Sequence, residues 1–347
     1  MSDSKEVIQA RLLSNIDNTY DKTEGSFFYD AEKPVAIELE SAYAEQNEIL
    51  NKGFVDTATD TFLERITSVY GIYRKLATKS TTTVTITGTI GALITIGDKV
   101  ASDLVNFTFT EDKVIDATGI VTVIVECATA GTIGNVPIGA IKYFPITLAG
   151  LVSVTNTVAV TNGYETETDV ELQQRYYDKV RNPATSGNKA QYLIWAKEVT
   201  GVGDAKIFAL FYGKGTVKVT IINSNKRAAD TELINNVAAH IEEVRPIGVT
   251  VSVVSATEKA IDISVTLSID TNNYTLEGIT TAIEVALTEY FKTIAFITTY
   301  VSYARIGNLI FDIPGVLDYS NLLVNTGTAN IDITDEEIAV LGGAVVG

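Results

Sequence analysis

The sequence predicts a multidomain α+β protein with an N-terminal helical segment, a small all-β domain and two α/β modules that could be related by duplication. Three observations support this prediction. The 347 residues are 46% hydrophobic, which is enough to fill several cores. At Thr78 the chain changes from helical patterns to Thr, Val, Ile and Gly, and after Glu258 an alternation of strand and helix patterns recurs. We therefore expect domains at 1–77, 78–163, 164–257 and 258–347.

The first 77 residues carry the pattern of three short helices. Asp3 or Ser4 can cap the first one, ahead of apolar residues at helical spacing. Pro34 suits the first turn of the second helix, where its missing N–H is not needed. Thr59 or Thr61 starts the third helix. A glycine follows each of the last two patterns and indicates where the helix stops.

The second predicted helix carries an apolar stripe along one side. Helices of about 15 residues are marginal alone in water, and three of them bury little apolar area by themselves. The β-domain that follows could cover the stripe, but its strands have inward faces of their own to fill. We therefore expect the stripe to contact another subunit. Its residues are Leu39, Ala42, Tyr43, Gln46, Ile49 and Leu50.

Residues 78–163 predict a small β-sandwich or barrel. Segments such as Val84–Thr87 and Val152–Val160 alternate apolar and polar residues, and glycine turns separate them. Cys127 lies in one such strand, where we expect a small core residue. It is the only cysteine, so no intrachain disulfide can form.

The first α/β module is predicted over 164–257. Thr168 and Glu171 have capping-box spacing and open a helix that runs to about Arg181, where Asn182–Gly187 ends it. The next helix carries Trp195, which we expect in the core. This helix is predicted over 189–199. Strands are predicted over 205–211, 216–222 and 249–254. A further helix contains His240, for which we expect a packing or surface role.

The second α/β module, over 258–347, repeats this alternation. It predicts a strand over 260–270, a helix with Ile279 and Leu287 inward, and a helix over 303–311. Ile313–Val316 then echoes Val199–Val202, because each is a helix end followed by a strand, and this echo suggests the duplication. Asn330–Ala339 forms a tail that could add a strand to a neighbour.

Charge and residue usage exclude several functions. The formal net charge is −17 and Lys and Arg do not cluster, so we predict no nucleic-acid partner. No apolar run approaches the roughly 18 residues that a membrane span needs. The sequence lacks clustered Cys and His for zinc, and its one histidine has no partner pattern for a nucleophilic triad. We therefore predict no enzyme, no metal and no cofactor.

Three turns imitate binding motifs without the required spacing. Gly201-Val-Gly203 follows a helix and lacks the third glycine of a dinucleotide loop. Gly213–Thr216 lacks the spacing of a phosphate loop, and Asp270–Tyr274 lacks the glycine and the final glutamate of a calcium loop. We interpret them as a helix stop, a hairpin turn and a strand-to-helix turn.

Several short motifs, taken together in chain order over roughly residues 20–255, resemble one known family. They are Gly25-Ser26, Phe54–Thr59, Leu63, Gly71–Arg74 and Ala77-Thr78, then Gly131–Gly139, Asn156, Gly163, Glu165 and Glu167, then Thr168–Leu172, Arg175, Arg181–Gly187, Trp195-Ala196, Gly201-Val202 and Gly213–Val217. The family is the baseplate J-like wedge proteins of contractile phage tails and phage-tail-like particles. The pattern departs at Asp60, where we expect glycine, although aspartate tolerates left-handed backbone.

The resemblance implies a structural subunit of the baseplate wedge or inner ring, which surrounds a hub and initiates the sheath. Its N-terminal helices are expected to bundle with other wedge proteins, and its C-terminal domain to pair with a second copy of the chain. Hub and sheath-initiating proteins are further expected partners. Because Met1–Ser4 begin no export signal, we expect assembly in the cytoplasm of the bacterial host. A surface adhesin or glycan-binding β-rich protein is the alternative, and a carboxylate-based hydrolase is a further one.

Overall fold

A computed structural model describes residues 3–181 and 187–347 of the chain. Its contacts divide the chain into two units. The first unit combines Met1–Arg74 with Glu167–Tyr177, and the second combines Lys75–Thr166 with Asp178–Gly347. The α+β multidomain class is confirmed. The segment predicted to end the fourth helix, at residues 182–186, lies outside the described residues.

The first unit is helical. Its helices are α1 (Lys5–Ser14), α2 (Phe27–Gly53), α3 (Asp60–Ser68) and the first part of α4 (Asp169–Arg181). α1 packs on the first half of α2, where the Lys5 N–H donates to Glu40 Oε1 at 2.9 Å and Gln9 Nε2 donates to the Tyr29 carbonyl at 2.8 Å. Ile8 and Ala36 are buried there.

The start predicted for the second helix is wrong. α2 begins at Phe27, because Ser26 supplies an N-cap whose hydroxyl accepts the Tyr29 N–H. Pro34 therefore lies inside the helix, where it costs one backbone hydrogen bond without ending the helix. The end at Gly53 and the start of α3 after Thr59 agree with the prediction.

The β-domain of the second unit is a nearly closed barrel. One antiparallel sheet has the strand order β3-β4-β6-β1-β7, and β2 pairs with β5 beside it. Apolar side chains of alternating positions fill the inside, and Cys127 is fully buried among them as predicted. The strands are β1 (Lys79–Gly88), β2 (Leu93–Ile94), β3 (Lys99–Ala101), β4 (Asn106–Phe109), β5 (Lys113–Val114), β6 (Ile120–Ala130) and β7 (Leu151–Asn156).

The two ends of the barrel meet. The Thr78 N–H donates to the Tyr164 carbonyl at 2.9 Å, and the Gly131 N–H donates to the Thr78 carbonyl at 2.9 Å. The chain therefore enters and leaves this domain at one place.

The central module follows as α5 (Lys189–Glu198), β8 (Val202–Ala209), β9 (Thr216–Asn223), α6 (Thr231–Val244) and β10 (Thr250–Ser255). Its sheet has the order β10-β9-β8, in which β8 is antiparallel and β10 parallel to β9. Val219 and Ile221 of β9 pack under the helices, with Tyr192 and Ile241. The predicted hairpin is confirmed between β8 and β9.

The C-terminal module consists of β11 (Thr257–Ile269), α7 (Leu276–Ile294), β12 (Tyr300–Val301), α8 (Tyr303–Phe311), β13 (Val316–Val324), β14 (Ile331–Asp332) and β15 (Glu337–Val346). Its sheet has the order β13-β11-β15, with β13 antiparallel and β15 parallel to β11. Both modules thus place a central strand between one antiparallel and one parallel neighbour. The chain order differs, since the central strand comes second in one module and first in the other, and the duplication stays a hypothesis.

The expectation of a free tail over Asn330–Ala339 is wrong for this chain. β14 pairs with β12, and β15 pairs along β11 in the same module. The strand-forming residues of this segment therefore already have backbone partners within the module. Three of its apolar side chains, Ile333, Ile338 and Ala339, also help to close the core.

The C-terminal module also covers the second face of the central sheet. Ile222 of β9 is buried with Ala295 and Ile338. Beside this contact, Lys206 pairs with Asp335 and Lys218 pairs with Glu336, at 2.7 and 2.5 Å. The cations belong to the central module and the carboxylates to the C-terminal module.

Candidate protein interaction surface

The turns that imitate binding motifs have ordinary structural roles. Gly213 and Gly215 form the hairpin turn at positive φ, and the Asp270 carboxylate accepts hydrogen bonds from Asn272 and Asn273 within its own turn. Over residues 3–181 and 187–347, no three His, Cys, Asp or Glu side chains are grouped as a metal site would need. The same ranges contain no helix that is both long and apolar enough to cross a membrane. His240 is at the surface beside Glu198.

The second half of α2 is exposed along almost its whole length. α1 reaches only as far as Glu40. From Ser41 to Gly53 every residue is exposed except Tyr43, which is half-buried. These 13 residues form roughly 20 Å of helix at 1.5 Å per residue. A helical segment of this length needs packing to be stable, because its propensity alone is marginal.

The predicted stripe lies on one side of this segment. With about 100° between successive helical residues, its six members and Val35 fall within about 120° of the helix circumference. Leu39 and Tyr43 are half-buried, whereas Ala42 and Gln46 are exposed. Ile49 and Leu50 are 65% and 64% exposed, which is high for large aliphatic side chains. The structure therefore brings the predicted residues together on one surface, which we call the α2 stripe.

The end of α2 is held by its contact with α3. The Lys52 ammonium lies 5.3 Å from the centre of the Phe62 ring. Thr57 donates a hydrogen bond to the Asn51 carbonyl and closes the connection. Ala58 and Leu63 are buried in a small core with Leu172 of α4.

Arg74, which the composition did not single out, connects α3 with the start of α4. We call its contacts the Arg74 clamp. Arg74 donates to Glu64 Oε1 at 2.6 Å, to Asp169 Oδ1 at 2.5 Å and to the Glu167 carbonyl at 2.7 Å. Asp169 also accepts the N–H of Asp60 at 3.1 Å. Asp60 has φ +48°, so the position where we expected glycine does adopt left-handed backbone.

A second arginine supports the same region. Arg175 Nη1 donates to both carboxylate oxygens of Glu167, at 2.9 and 2.7 Å, and to the Tyr73 carbonyl at 3.2 Å. Thr168 and Glu171 form the predicted capping box, with each side chain accepting the backbone N–H of the other. Motif residues that carried the family resemblance thus hold the start of α4 against the N-terminal helices.

The Arg74 clamp predicts an acid-sensitive first unit. Burial of the Asp169 carboxylate raises its pKa, but the hydrogen bonds from Arg74 and Asp60 and the charge of Arg74 outweigh burial, so the pKa lies below its usual value. A depressed pKa contributes stability above the unfolded pKa of about 3.9, and this contribution disappears as the pH falls through the folded value. Asp169→Asn should cost about 1–3 kcal/mol at pH 7 and flatten the dependence of unfolding on pH below about 4.

Circular dichroism at 222 nm during thermal unfolding, repeated from neutral to acidic pH, measures this effect. Asp56→Asn is the matched control, because Asp56 is exposed and outside the clamp. An Asp169→Asn variant as stable as the control at pH 7 would contradict the role of the clamp.

In the second unit, Gly134 and Gly163 allow the two ends of the barrel to approach each other closely. We call this close contact the glycine joint. A Cβ on Gly134 would lie 2.7 Å from Cys127 Sγ and would also collide with Ser80 Oγ. Gly163 is similarly enclosed, and Asn135 bonds both its N–H and its carbonyl at 2.9 Å. Packing therefore requires glycine at positions 134 and 163.

One more motif glycine links the barrel exit to the central module. Gly201 has φ +96°, and a Cβ there would lie 2.8 Å from the Tyr164 ring. Tyr164 is buried, and this burial, with the nearby charges of Asp230 and Glu232, raises the pKa of its hydroxyl. The ring therefore stays neutral and packs as an apolar group.

Comparison with known proteins identifies the family. Residues 83–163, 184–255 and 261–347 match the models of the Baseplate J-like protein barrel domain, the Baseplate J-like central domain and the Baseplate J-like protein C-terminal domain. The chain is 34% identical over 345 residues to the phage-like element PBSX protein XkdT of Bacillus subtilis, covering 97% of this chain and 95% of that protein. The chain belongs to the baseplate J-like family, as the sequence motifs predicted.

Two further proteins are similar. The baseplate protein gp47 of Escherichia phage Mu is 30% identical over 207 residues, which is 56% of this chain and 58% of gp47. A chain in the cryo-EM structure of the anti-feeding prophage baseplate aligns over 96% of this chain and 89% of its own length, with a TM-score of 0.39 and 9% identity.

Proposed function

We propose that this chain is a wedge subunit of a contractile-tail baseplate, within the inner ring that connects the hub to the sheath. The observation that carries the proposal is the α2 stripe, an apolar side of the helix on which Ala42, Gln46, Ile49 and Leu50 are exposed. Membership of the baseplate J-like family supports it. In this proposal other wedge proteins cover the stripe, and assembly takes place in the host cytoplasm.

Electron microscopy of particles made with and without the chain tests this function. Cells that express the remaining particle genes should yield no complete baseplates, and adding the chain in trans should restore them. Normal baseplates in its absence would contradict the proposal, whatever the chain binds in isolation.

We also propose that the C-terminal module pairs with a second copy of the chain. β13 and β15 are the two edges of its sheet, and β13 carries exposed Leu317 and Leu323. Edge strands with exposed apolar side chains favour pairing with another chain. Deleting 258–347 should abolish ring assembly, but it would also uncover Ile222 and Lys218 of the central sheet.

Substitution separates the two effects of that deletion. Leu317→Lys with Leu323→Lys should prevent pairing while the module stays folded, because both side chains are exposed. Sedimentation should then show monomers where the unmodified chain forms dimers. Ring assembly by the chain without residues 258–347 would refute self-pairing through this module.

We propose a structural role without catalysis. The chemistry visible in the described residues consists of caps, ion pairs and packed joints, such as the Arg74 clamp and the glycine joint. Incubation of the purified chain with peptidoglycan and with bacterial polysaccharide should release no soluble fragments. Turnover that a single carboxylate substitution abolishes would show a hydrolase.

A further inference from the structure

One end of the central module carries exposed apolar side chains. The β8–β9 turn and the loop from α6 to β10 lie side by side there, because the Thr250 N–H donates to the Gly215 carbonyl at 2.8 Å. Leu210 and Tyr212 in the turn are 62% and 63% exposed, and Ile247 in the loop is completely exposed. We call this surface the central tip, and it consists of residues 210–215 and 246–249.

Hydrogen bonds and ring contacts fix the shape of the turn. The Leu210 N–H donates to the Thr216 carbonyl at 2.8 Å, and the Thr216 hydroxyl accepts the Tyr212 N–H at 3.1 Å. The ring centres of Phe211 and Tyr212 are 4.8 Å apart, and the Lys218 ammonium lies 4.1 Å from the Phe211 ring centre. A surface that is ordered before binding loses little conformational entropy on contact, so the central tip is suited to recognition.

The backbone at Leu210 is strained. Its φ of +58° is left-handed, which leucine adopts rarely because its Cβ approaches the following carbonyl oxygen. Glycine or asparagine would adopt this conformation more easily. The leucine side chain is mostly exposed, so it adds little to the core of the chain itself. Strain at an exposed apolar residue therefore indicates a contact made outside the chain.

The central tip also carries one cation that the fold does not use. Residues 205–229 contain five cations and no carboxylate, although the whole chain has a net charge of −17. Lys214, in the turn, forms no hydrogen bond or ion pair within residues 3–181 and 187–347. A complementary partner would therefore supply a carboxylate beside its apolar contact. The other four cations are Lys206, Lys218 and Arg227, which pair with carboxylates, and Lys226, which donates to the Gly203 carbonyl.

A second copy of the chain complements the central tip poorly. Two tips that met about a two-fold axis would bring both Lys214 ammonium groups into one small contact, where like charges repel. The apolar area is only a few hundred Å², below the roughly 800 Å² per partner of a stable interface. The cavity of about 230 Å³ between α2 and α3 is lined by polar side chains apart from Phe62, so it does not match an apolar contact.

We propose that the central tip inserts into an apolar pocket, beside an aspartate or glutamate, on a different subunit of the particle. This inference rests on the proposed function for the presence of that neighbouring subunit. Leu210, Tyr212 and Ile247 supply the buried contact, as in interfaces where a few apolar and aromatic anchors carry most of the affinity. Lys214 supplies the ion pair. Because the area is small, the contact reinforces an assembly that other surfaces also hold together.

Carbodiimide treatment of purified baseplates tests the ion pair, since this reagent joins a lysine to a carboxylate where the two are in contact. Mass spectrometry should find Lys214 linked to an aspartate or glutamate of a different subunit, and no link from Lys214 in the free chain. Lys206 and Asp335, 2.7 Å apart, are the internal control and should be linked in both samples. The control link without a Lys214 link, or a Lys214 link to a second copy, would overturn the inference.

Substitutions at the tip test the apolar contact. Tyr212→Ser with Ile247→Ser should make the chain leave diluted baseplates at least about tenfold faster. Ile146→Ser, at a highly exposed isoleucine of the barrel, should not change this rate. Lys214→Glu should also raise it, whereas Lys189→Glu, at an exposed position of the same module, should not. Equal rates for tip and control variants would contradict the contact.

Leu210→Asn distinguishes a contact residue from a structural one. Asparagine tolerates left-handed backbone, so the free chain should keep its melting temperature while the variant leaves baseplates faster. A melting temperature lowered as much as by a core substitution would mean that the leucine serves the fold of the chain, and would overturn the inference.

Vesicles of anionic phospholipid test the other kind of surface that an apolar tip with a lysine could contact. The free chain should not bind them, because its net charge is strongly negative. Binding that Tyr212→Ser with Ile247→Ser abolishes would mean that a membrane covers the tip, which would refute the protein contact.

These outcomes differ from failure of the proposed function, which is measured by baseplate formation. Baseplates that contain the chain and show the Lys214 link, yet form normally without the chain, would refute the function alone. Baseplates that require the chain but show no Lys214 link would refute the tip contact alone.

Discussion

Replacing Ile49 by glutamate should stop incorporation of this chain into baseplates while its barrel and α/β modules stay folded. Ile49 is 65% exposed on the α2 stripe, so the substitution costs the isolated chain little. In an assembly that buries the stripe, the same carboxylate would be desolvated without a partner, and leaving one charge buried and unpaired costs roughly 3–5 kcal/mol. Leu39→Glu should act in the same direction, with some added cost to folding because Leu39 is already half-buried.

Ile37→Glu is the matched control, since Ile37 lies on the opposite side of the same helix and is 45% exposed. It should be incorporated normally, as judged by electron microscopy and by composition of purified particles. Amide hydrogen exchange on the isolated chain gives an independent check. Residues 41–53 should exchange much faster than β9, and equal protection of the two segments would mean that α2 needs no partner.

Replacing Gly134 by alanine should destabilise the barrel by about 2–3 kcal/mol, because a methyl group must enter a joint that has no room for it. The new Cβ would press on Ser80 and Cys127, and both side chains are buried. Thermal unfolding followed by circular dichroism measures the change. Adding Ser80→Ala should recover part of the loss, since the Ser80 hydroxyl is the nearest obstacle.

Gly53→Ala is the control that shows whether adding a methyl group to a glycine lowers the stability at an unpacked position. Gly53 is the last residue of α2, and a Cβ there would have no neighbour within 4 Å. This variant should be as stable as the parent or slightly more so, because alanine favours the helix. If Gly134→Ala behaves in the same way, the packing argument for the glycine joint is wrong.

Local patterns predicted much of the fold correctly. Periodicity placed α8 and the α4 capping box, because caps and apolar spacing are short-range features that the sequence displays directly. The helix start at Pro34 was wrong for a local reason, since Ser26 offers a stronger start and proline alone does not exclude a longer helix. The role of Asn330–Ala339 was wrong for a long-range reason, since pairing with β11 depends on residues about 80 positions away.

The interaction surface was predictable in part. The α2 stripe follows from spacing alone, and the structure adds that α1 stops short of its second half. The Arg74 clamp could not be derived from composition, because Arg74 and Asp169 are far apart in sequence and nothing in either segment marks the other. The family resemblance did include both residues, without indicating that they meet. The division into four domains stays a prediction, and Glu167–Tyr177 groups with the N-terminal helices in the structure.

Because Thr78 and Tyr164 are hydrogen-bonded to each other, the barrel is an insertion whose two ends lie side by side. A segment that leaves and returns at one hydrogen-bonded pair can change its length or its identity without altering the path of the flanking chain. Recombination can therefore lengthen, shorten or replace the coding sequence of the barrel while the polypeptide segments on either side fold as before. For engineering, residues 80–162 mark the place to splice a reporter domain into the chain, provided that the donor also begins and ends at neighbouring points.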